Sequence, residues 1–450
     1  VRRAIRVLLT RPMSDTLAEL YLSIRSTPPV DFLYSSLRAE TGEPVIRPMG
    51  SARPAHGFDD LAFIPSQLHR RPVLETEPVD LSVTLGARCP RPVESSLPLF
   101  LSGMAYGLAL TREARLALAE ASGAVRIPLN SGQGPFLPEE RARAWRYVLQ
   151  FGRWQWNRDL SILRQADMIE VQVGQGAMPG NAVIATPEEV SPEIRRLMGL
   201  PDGAPPIIHA DLYLDRPDQP ASLQEVVAWL RQKVPAIPIA VKMGASDRIE
   251  EELDVALEAG VDVIVVDGTE GATGNAPITL SDHFGIPSLH ALVRARRHLV
   301  RQGMADQVDL LISGGFREPG DVLKALALGA KAVGLGTIAM FALAHKQITE
   351  AVPLHPPTDL VFYRAQPRIR LDPSRAAQGL INFLESCRKE MAIALRTLGH
   401  TRLAELSPED LCALDPEVAR VARVHYAGAS RSRHKSPIIA LSSASNRSRS

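Results

Sequence analysis

The chain has 450 residues, which is long enough for one large domain with additions or for two domains. Its 51 lysine and arginine residues nearly balance its 50 aspartate and glutamate residues, so the net charge of +1 offers no overall field for nucleic acid or acidic lipid. The 3 cysteines are too few for a disulfide framework, a cysteine zinc site or a cysteine-ligated iron–sulfur cluster, and we expect a cytoplasmic protein with a small-molecule partner.

The N-terminal region, residues 1–95, is predicted to be an extension that wraps around the rest of the chain. It is rich in proline and arginine and shows little periodicity. Its first residues contain basic side chains and a short apolar run, without the long apolar segment and cleavage site of a signal peptide. No run of about 18 uncharged apolar residues occurs, so no membrane span is predicted. The amphipathic start predicts a packing helix, with attachment to a membrane surface as the alternative.

Between residues 96 and 347, short apolar runs alternate with helical segments. Strands are predicted at residues 97–103, 124–130, 168–174, 205–210, 238–244, 261–268, 308–315 and 331–336. Helices are predicted at residues 112–122, 222–234, 249–260, 289–302 and 319–330. Apolar strands separated by helices indicate parallel pairing, and eight such units in roughly 250 residues predict an α/β fold of the (β/α)8 TIM-barrel type. A doubly wound open sheet is the alternative, because strand order is not visible in a sequence.

The chain after the barrel is predicted to have two parts. Residues 348–427 are interpreted as a C-terminal helical segment. Residues 428–450 are rich in serine and arginine, and we expect a disordered tail because such a composition buries too little apolar surface to order itself.

Glycines follow two consecutive predicted strands near the end of the barrel. Gly314 and Gly315 come directly after the seventh strand, and Gly334, Gly336 and Thr337 close the eighth strand where another helix begins. Backbone amides in these loops commonly bind phosphate in barrels, and glycine lets the backbone approach the anion closely. The pattern therefore predicts a phosphate site, and the alternative is that the glycines only turn the chain.

Lys242 is the strongest single candidate for a catalytic residue. It is the one lysine that lies inside an apolar predicted strand, at the ligand-facing end of that strand. A buried cation there stabilises negative charge on a bound ligand. The alternative is a lysine that extends out of the barrel mouth into water.

Several loop segments occur together in the order typical of one family. They are SGMAYGLALTREARLALAEA (102–121), LNSGQGPFLPEE (129–140), ADMIEVQVGQGAMPG (166–180), VSPEIRRLMGLPDG (190–203), HADLY (209–213), IAVKMGA (239–245) and DGTEGATGNAPI (267–278). With LLISGGFREPGDVLKALALGAKAVGLGT (310–337), they resemble the FMN-binding domain of glutamate synthase over residues 95–345, and the resemblance resumes at residues 382–406. It implies a short, stand-alone FMN-dependent oxidoreductase that acts on a carbon–nitrogen bond of an amine or imine.

The resemblance also implies roles for individual residues. The cofactor-binding residues that it implies are Ser102, Gly103, Met104, Ala105, Gln172, Lys242, Asp267, Gly268, Gly314, Gly315, Gly334, Gly336 and Thr337. The catalytic residues that it implies or that the residue types favour are Lys242, Gln175, His209 and Asp211. Lys242 would stabilise the negative charge of the reduced flavin ring, and no metal site is predicted.

Three replacements within the matching segments concern the substrate. Gln133 stands where the family has a glutamate, Met178 where it has a lysine, and Met198 where it has an arginine. The two missing cations would be natural anchors for the carboxylates of 2-oxoglutarate. The sequence therefore indicates a substrate other than 2-oxoglutarate, and literal glutamate synthase activity is not expected.

The source of electrons is expected to be external. The cysteine cluster that follows the eighth strand in the large synthases is missing, and no dinucleotide-binding fingerprint occurs, so we expect no iron–sulfur cluster in this chain. A ferredoxin or an NAD(P)H-dependent reductase is the expected donor, and a homo-oligomer is expected. The alternatives are another FMN-barrel reaction, such as hydroxy-acid oxidation or allylic isomerisation, and a non-catalytic barrel that binds phosphate or flavin.

Overall fold

Eight parallel strands close into a barrel, which confirms the predicted (β/α)8 fold. The computed structural model describes residues 25, 28–47, 50–53, 57–176, 183–184, 189–214, 219–271, 276–351, 360–363 and 370–430. The barrel strands are β1 (Leu99–Leu101), β2 (Pro128–Asn130), β3 (Arg146–Gly152), β4 (Met168–Gln172), β5 (Ile239–Gly244), β6 (Val263–Asp267), β7 (Asp309–Ser313) and β8 (Ala332–Leu335).

Helices surround the barrel and connect its strands. They are α1 (Arg112–Val125), α2 (Pro138–Arg143), α3 (Leu160–Leu163), α4 (Leu223–Lys233), α5 (Ile249–Glu258), α6 (Ser288–Arg301), α7 (Pro319–Ala327), α8 (Thr337–Ala344) and the long C-terminal α9 (Pro373–Leu398). The hydroxyl of Thr111 caps α1 by accepting a hydrogen bond from the Ala114 amide. Helix α9 packs against α1 and α8, so the C-terminal segment covers the outside of the barrel.

Shorter elements lie outside the barrel and its helices. The remaining helices are Pro29–Thr41, Pro192–Leu197, Ile278–His283, Ile348–Ala351 and Pro416–Ala422. The remaining strands are Leu61–Phe63, Val83–Leu85, Val93–Ser95, Val183–Ile184, Ile207–Ile208, Leu411–Ala413 and His425–Tyr426. In the described part of the chain, no helix is both long enough and apolar enough to cross a membrane. How the chain divides into domains stays a prediction, and residues 1–24 and 431–450 lie outside the described residues.

The barrel interior is apolar through most of its depth. The side chains that fill it include Phe100, Val148, Met168, Ala240, Val263, Val265, Leu311 and Ala332. Leu85 and Val93 belong to the same core and come from an antiparallel hairpin. The hairpin lies at the amino ends of the strands, because the amide of Gly86 donates to the carboxylate of Asp309, the first residue of β7, at 2.7 Å. Among the described residues, the hairpin therefore covers the amino end of the barrel, which leaves the carboxyl end for a ligand.

One of the eight barrel-strand predictions is wrong. Residues 205–210 were expected to form a barrel strand, but only Ile207–Ile208 is extended, and it pairs antiparallel with Val183–Ile184 outside the barrel. Two prolines precede this pair and limit the backbone donors that a central strand needs. The strand that the sequence analysis missed is β3, which pairs with β2 and β4 and follows a helix of only 6 residues.

The corrected strand order moves two predicted site segments. The loop that contains Gln175 follows the fourth barrel strand instead of the third. His209 and Asp211 lie in the long connection between β4 and α4, instead of at the end of a barrel strand.

A buried ion pair joins the first two helices to the loops at the open end. Arg115 of α1 is fully buried and forms two hydrogen bonds with the carboxylate of Glu140 on α2, one of them 2.8 Å long. The same guanidinium donates to the carbonyl oxygens of Met104 at 2.6 Å and Asn130 at 3.0 Å. Burial lowers the pKa of Arg115, but the charge of Glu140 and its hydrogen bonds together raise that pKa above its ordinary value. Arg115 therefore fixes the loop after β1 and the end of β2.

We expect Glu140→Met to destabilise the protein strongly. The substitution leaves the Arg115 cation buried without its counter-ion, which costs about 3–5 kcal/mol of unfolding free energy. Glu139→Met is the matched control, since Glu139 pairs with Arg112 between the same two helices but both side chains are half exposed. The control is expected to cost less than about 1 kcal/mol. Equal losses for the two variants in urea denaturation would contradict this account.

Candidate active site

A cavity of about 540 Å³ opens at the carboxyl ends of the barrel strands. This volume lies within the range of about 300–1,000 Å³ that is common for ligand pockets. The structure brings most of the predicted site residues into its wall. Those that line it are Ser102, Gly103, Met104, Ala105, Gln175, Lys242, Asp267, Gly314, Gly315, Gly334, Gly336 and Thr337.

The other predicted site residues lie outside the cavity wall. Gln172 is fully buried and is paired in register with Lys242, while Gly268 packs tightly against Ser288. His209 is half-buried with its ring 4.7 Å from the Tyr213 ring, and Asp211 is exposed. Their roles in catalysis or cofactor binding stay predictions.

An ion pair lies where β5 and β6 reach the cavity. The Lys242 ammonium is 3.2 Å from one carboxylate oxygen of Asp267, and both side chains are only 6% exposed. The other carboxylate oxygen of Asp267 accepts a hydrogen bond from the Ser313 hydroxyl on β7 at 2.8 Å. Burial lowers the pKa of Lys242, but the charges of Asp267 and Glu170 and the hydrogen bond to Asp267 together hold this pKa above its ordinary value. Lys242 is therefore a fixed positive charge at the cavity.

Polar side chains of β2, β3 and β4, together with the Lys242–Asp267 ion pair, form a polar layer around the barrel. Glu170 accepts hydrogen bonds from the side-chain amides of Asn130 and Gln150, each at 2.8 Å. Asn130 in turn accepts from the amide of Gly132 at 2.9 Å. Gln150 lines the cavity and was missed by the sequence analysis because β3 was missed. The available signal was a polar residue at or near the end of an otherwise apolar run: Asn130 in β2, Gln150 in β3 and Gln172 in β4.

The end of the cavity near β7 and β8 is built from backbone. Gly314 and Gly315 have φ values of 110° and 82°, a region that side-chain-bearing residues rarely adopt. Gly336 precedes α8, and a Cβ added to it would meet no atom within 4 Å. The Ala339 and Met340 amides donate to the Gly336 carbonyl at 3.0 and 3.3 Å. The amides of Thr337 and Ile338, at the start of α8, have no acceptor within the helix, and both residues line the cavity. This arrangement suits an anion that is bound by backbone amides.

Two carboxylates that the sequence analysis did not select also line the cavity. Glu270 accepts hydrogen bonds from the Ser288 amide at 2.9 Å and the Ser288 hydroxyl at 2.8 Å. Burial raises the pKa of Glu270 above its ordinary value. Asp321 is buried near the start of α7, burial raises its pKa, and one of its oxygens has no hydrogen-bond partner among the described residues. Both positions carried a weak signal, since each lies in or beside a glycine-containing loop after a strand.

Residues 51–53 and 57–59 of the N-terminal region supply one wall of the cavity, and we call them the strap. The strap residues that line the cavity are Ser51, Arg53, Gly57, Phe58 and Asp59. The carboxylate of Asp282 holds this strap by accepting hydrogen bonds from the Arg47 side chain, from the Ser51 hydroxyl at 3.3 Å and from the Ala52 amide at 3.0 Å. The sequence analysis predicted a wrapping extension but did not place it in the site.

The replaced family positions fall in different places. Gln133 lines the cavity, and its carbonyl accepts a hydrogen bond from the Trp156 indole at 2.8 Å. Met198 does not line the cavity; it is buried among apolar residues that include Trp154 and Ile194. Met178 lies outside the described residues. The family position of the arginine, Met198, therefore supplies no cation to the described cavity.

The conserved region of glutamate synthase matches residues 66–401 of this chain. The chain belongs to the glutamate synthase family. The match confirms the predicted resemblance, begins earlier, at residue 66, and also covers residues 346–381, which the resemblance had left out. It covers all the barrel strands and the whole of helix α9.

Two relatives illustrate how the family varies in length. The chain is 32% identical to a glutamate synthase large subunit-like protein of Rhizobium meliloti (strain 1021), over 89% of this chain and 94% of the relative. It is 30% identical to an archaeal-type glutamate synthase [NADPH] of Dehalococcoides mccartyi, over 68% of this chain and 64% of the relative. The chain thus spans nearly the whole of the first relative and somewhat less than two thirds of the second.

A solved structure supports the fold. A flavocytochrome b2 mutant with benzoylformate superposes with a TM-score of 0.51 at 19% identity, over 87% of this chain and 89% of the other chain. At this level of identity the similarity concerns the barrel fold alone.

We expect Glu270→Gln to change how stability depends on pH. Since the pKa of Glu270 is raised in the folded protein, its contribution to stability is fully present below its ordinary value of 4.5 and is lost as pH rises through the folded pKa. The stability advantage of the parent over Glu270→Gln should therefore shrink as pH rises through this window. Urea denaturation across a pH series measures it.

Glu250→Gln is the control with the opposite sign. The hydrogen bond from Arg294 lowers the pKa of Glu250, so its contribution is present above the ordinary pKa and is lost as pH falls. The advantage of the parent over this variant should grow with pH. The same pH trend in both variants would refute the assignment for Glu270.

Proposed function

We propose that this protein is an FMN-dependent oxidoreductase of the glutamate synthase family that acts on the carbon–nitrogen bond of an amine or imine. The observation that carries the proposal is one continuous cavity that joins a backbone anion site to a buried lysine. The anion site contains Gly314, Gly315 and Gly336, and the lysine is Lys242. A molecule with a phosphate at one end and an electron-accepting ring at the other matches this order of groups.

Several polar atoms beside the cavity fit FMN. The Ser102 hydroxyl and both polar atoms of the Gln172 carboxamide are buried and have no hydrogen-bond partner in the described part of the chain. Buried polar atoms in proteins are nearly always satisfied, so a ligand with several hydroxyl and carbonyl groups explains them. Asp321 offers a further acceptor near the anion site, suited to a ribityl hydroxyl.

The protein residues have separate tasks in the proposed reaction. Bound FMN supplies two-electron redox chemistry. The Lys242 ammonium places a positive charge beside the ring, and Asp267 and Ser313 hold Lys242 in position. Glu270, whose pKa burial raises, is suited to hold or release the proton that accompanies amine–imine conversion.

The substrate is proposed to differ from 2-oxoglutarate. The family positions of the lysine and the arginine are occupied by Met178 and Met198, and Met198 packs in an apolar cluster with Trp154 and Ile194, away from the cavity. A dicarboxylate is bound best by paired cations, and these two methionines supply none. Gln133 gives the cavity wall a neutral carboxamide where the family has a carboxylate.

The electron donor and the assembly are also part of the proposal. The names of the relatives include both an NADPH-dependent and a ferredoxin-dependent glutamate synthase. The 3 cysteines of this chain lie far apart in sequence, in a loop, in α9 and in a short strand, so we propose that electrons come from a separate protein. We further propose a homo-oligomer and a cytoplasmic location.

Anaerobic reduction tests the proposed activity. The purified protein is expected to bind FMN and to show the visible absorbance of oxidised flavin. Amino acids with a primary or secondary amine should bleach this absorbance faster than lactate or glycolate does. Faster bleaching by the hydroxy acids would show that the reaction is hydroxy-acid oxidation, and failure to bind FMN would refute the cofactor assignment.

We expect Gly336→Val to prevent FMN binding without unfolding the protein. The added side chain enters open space, because a Cβ at this position would meet no atom within 4 Å. Blocking backbone amides from the phosphate should weaken FMN affinity by at least about tenfold. Titration of the flavin-free protein with FMN measures the affinity, and thermal unfolding checks the fold.

Gly320→Ala is the control for this variant. Gly320 lies in the first turn of α7, outside the cavity wall, and an added Cβ makes only an ordinary contact at 3.4 Å with Glu318. Its FMN affinity is expected to match that of the parent. Equal FMN affinity in Gly336→Val and the parent would place the phosphate elsewhere.

A further inference from the structure

The cavity has two chemically different ends. The loops after β7 and β8 form the end that we assign to the FMN phosphate. The opposite end is formed by β3, by the loops after β2 and β3, and by the long connection between β4 and α4. Its lining residues are Gln133, Gln150, Arg153, Gln175, Pro206 and Ile208. Arg153 is the charged residue among them.

Arg153 is held rigidly at the end of β3. The residue is only 2% exposed, and its carbonyl accepts a hydrogen bond from the His209 amide at 2.7 Å. At the preceding Gly152, an added Cβ would lie 2.9 Å from the carbonyl oxygen of Gln172, so the backbone is tightly packed. The following Trp154 is fully buried. These contacts fix the backbone from which the Arg153 side chain enters the cavity wall, as a ligand-positioning residue requires.

The charge of Arg153 favours an anionic ligand. Burial lowers the pKa of its guanidinium, and the negative charge of Asp211 partly offsets that effect. A guanidinium remains protonated at neutral pH even when it is buried. Its planar fork forms two parallel hydrogen bonds with a carboxylate, and the low dielectric of a buried site strengthens them.

We propose that Arg153 is the side chain that binds the substrate carboxylate, and that it thereby makes the enzyme discriminate against the corresponding carboxamide. This inference rests on the proposed function and assigns a specificity-determining residue in the same site. The neutral carboxamides of Gln133 and Gln175 contact uncharged parts of the same molecule. The anchor therefore lies on the loop after β3, and not at the family positions that Met178 and Met198 occupy.

Matched pairs of small molecules test the proposal. The probes are L-alanine, L-norvaline, L-glutamine and L-glutamate, each compared with its own α-carboxamide. Binding to flavin-free and FMN-loaded protein is measured from the shift of the thermal unfolding midpoint with probe concentration. The parent should bind the best amino acid at least about tenfold more tightly than its carboxamide.

Variants of Arg153 should remove this discrimination. In Arg153→Gln the affinity ratio between the acid and its carboxamide should fall to about one, and Arg153→Lys should give an intermediate ratio because it keeps the charge but loses the fork. FMN affinity should stay within about twofold of the parent in both, since Arg153 lies at the opposite end of the cavity from the glycine backbone.

Arg158→Gln separates this role from a structural one. Arg158 supports the same loop by donating to the carbonyl oxygens of Gly152 at 3.0 Å and Trp154 at 3.1 Å, and it does not line the cavity. The Arg158→Gln variant should have a lower thermal unfolding midpoint than the parent but the same ratio of affinities for the acid and its carboxamide.

Two results overturn the proposal: a parent that binds no probe more tightly than its carboxamide, and an Arg153→Gln variant that keeps the ratio of the parent. A parent that binds no FMN refutes the proposed function instead. The comparison of acid and carboxamide in the flavin-free protein is still measured in that case.

Discussion

The ion pair between Lys242 and Asp267 is the interaction on which the open end of the barrel depends. Burying two charges above an apolar barrel interior costs free energy, and the cost is offset only if each charge keeps good partners. Asp267 meets this condition by contacting Lys242 on β5 and Ser313 on β7, so three neighbouring strands must be in register for the pair to form. Glu170 adds a second negative charge near Lys242 and is itself held by two carboxamides. The polar layer therefore sets the boundary between the core below and the cavity above.

The fold could be read from the sequence where the period of apolar residues was clear. Strands β5 to β8 are largely apolar runs; β5 to β7 end in glycine or a polar residue, and Gly336 follows β8. The helices between them follow the expected spacing. Strand β3 was missed because a helix of only 6 residues precedes it, which breaks the alternation. Residues 205–210 were mistaken for a strand of the barrel because an apolar run looks the same in a barrel as in a two-residue pairing outside it. Register and pairing are long-range properties, and a local pattern does not contain them.

The candidate site was predictable to the extent that strand ends define it. Lys242, Asp267 and the glycines after β7 and β8 needed only the rule that ligands lie at the carboxyl ends of parallel strands. Arg153 depends on the position of β3, so the missed strand hid it. The N-terminal strap was invisible as a cavity wall, because its contact with Asp282 joins residues more than 200 positions apart in sequence. Site residues that lie at one strand end can be predicted from the local sequence pattern. Site residues that packing between distant segments brings together cannot.

The strap ties part of the cavity wall to a distant segment of the chain. Ser51, Arg53 and residues 57–59 line the cavity, and the carboxylate of Asp282 accepts hydrogen bonds from the Ser51 hydroxyl and the Ala52 amide. Asp282 itself does not line the cavity. Because a ligand in contact with this wall favours the state in which the strap is held in place, a carboxylate outside the cavity wall contributes to the affinity of the site.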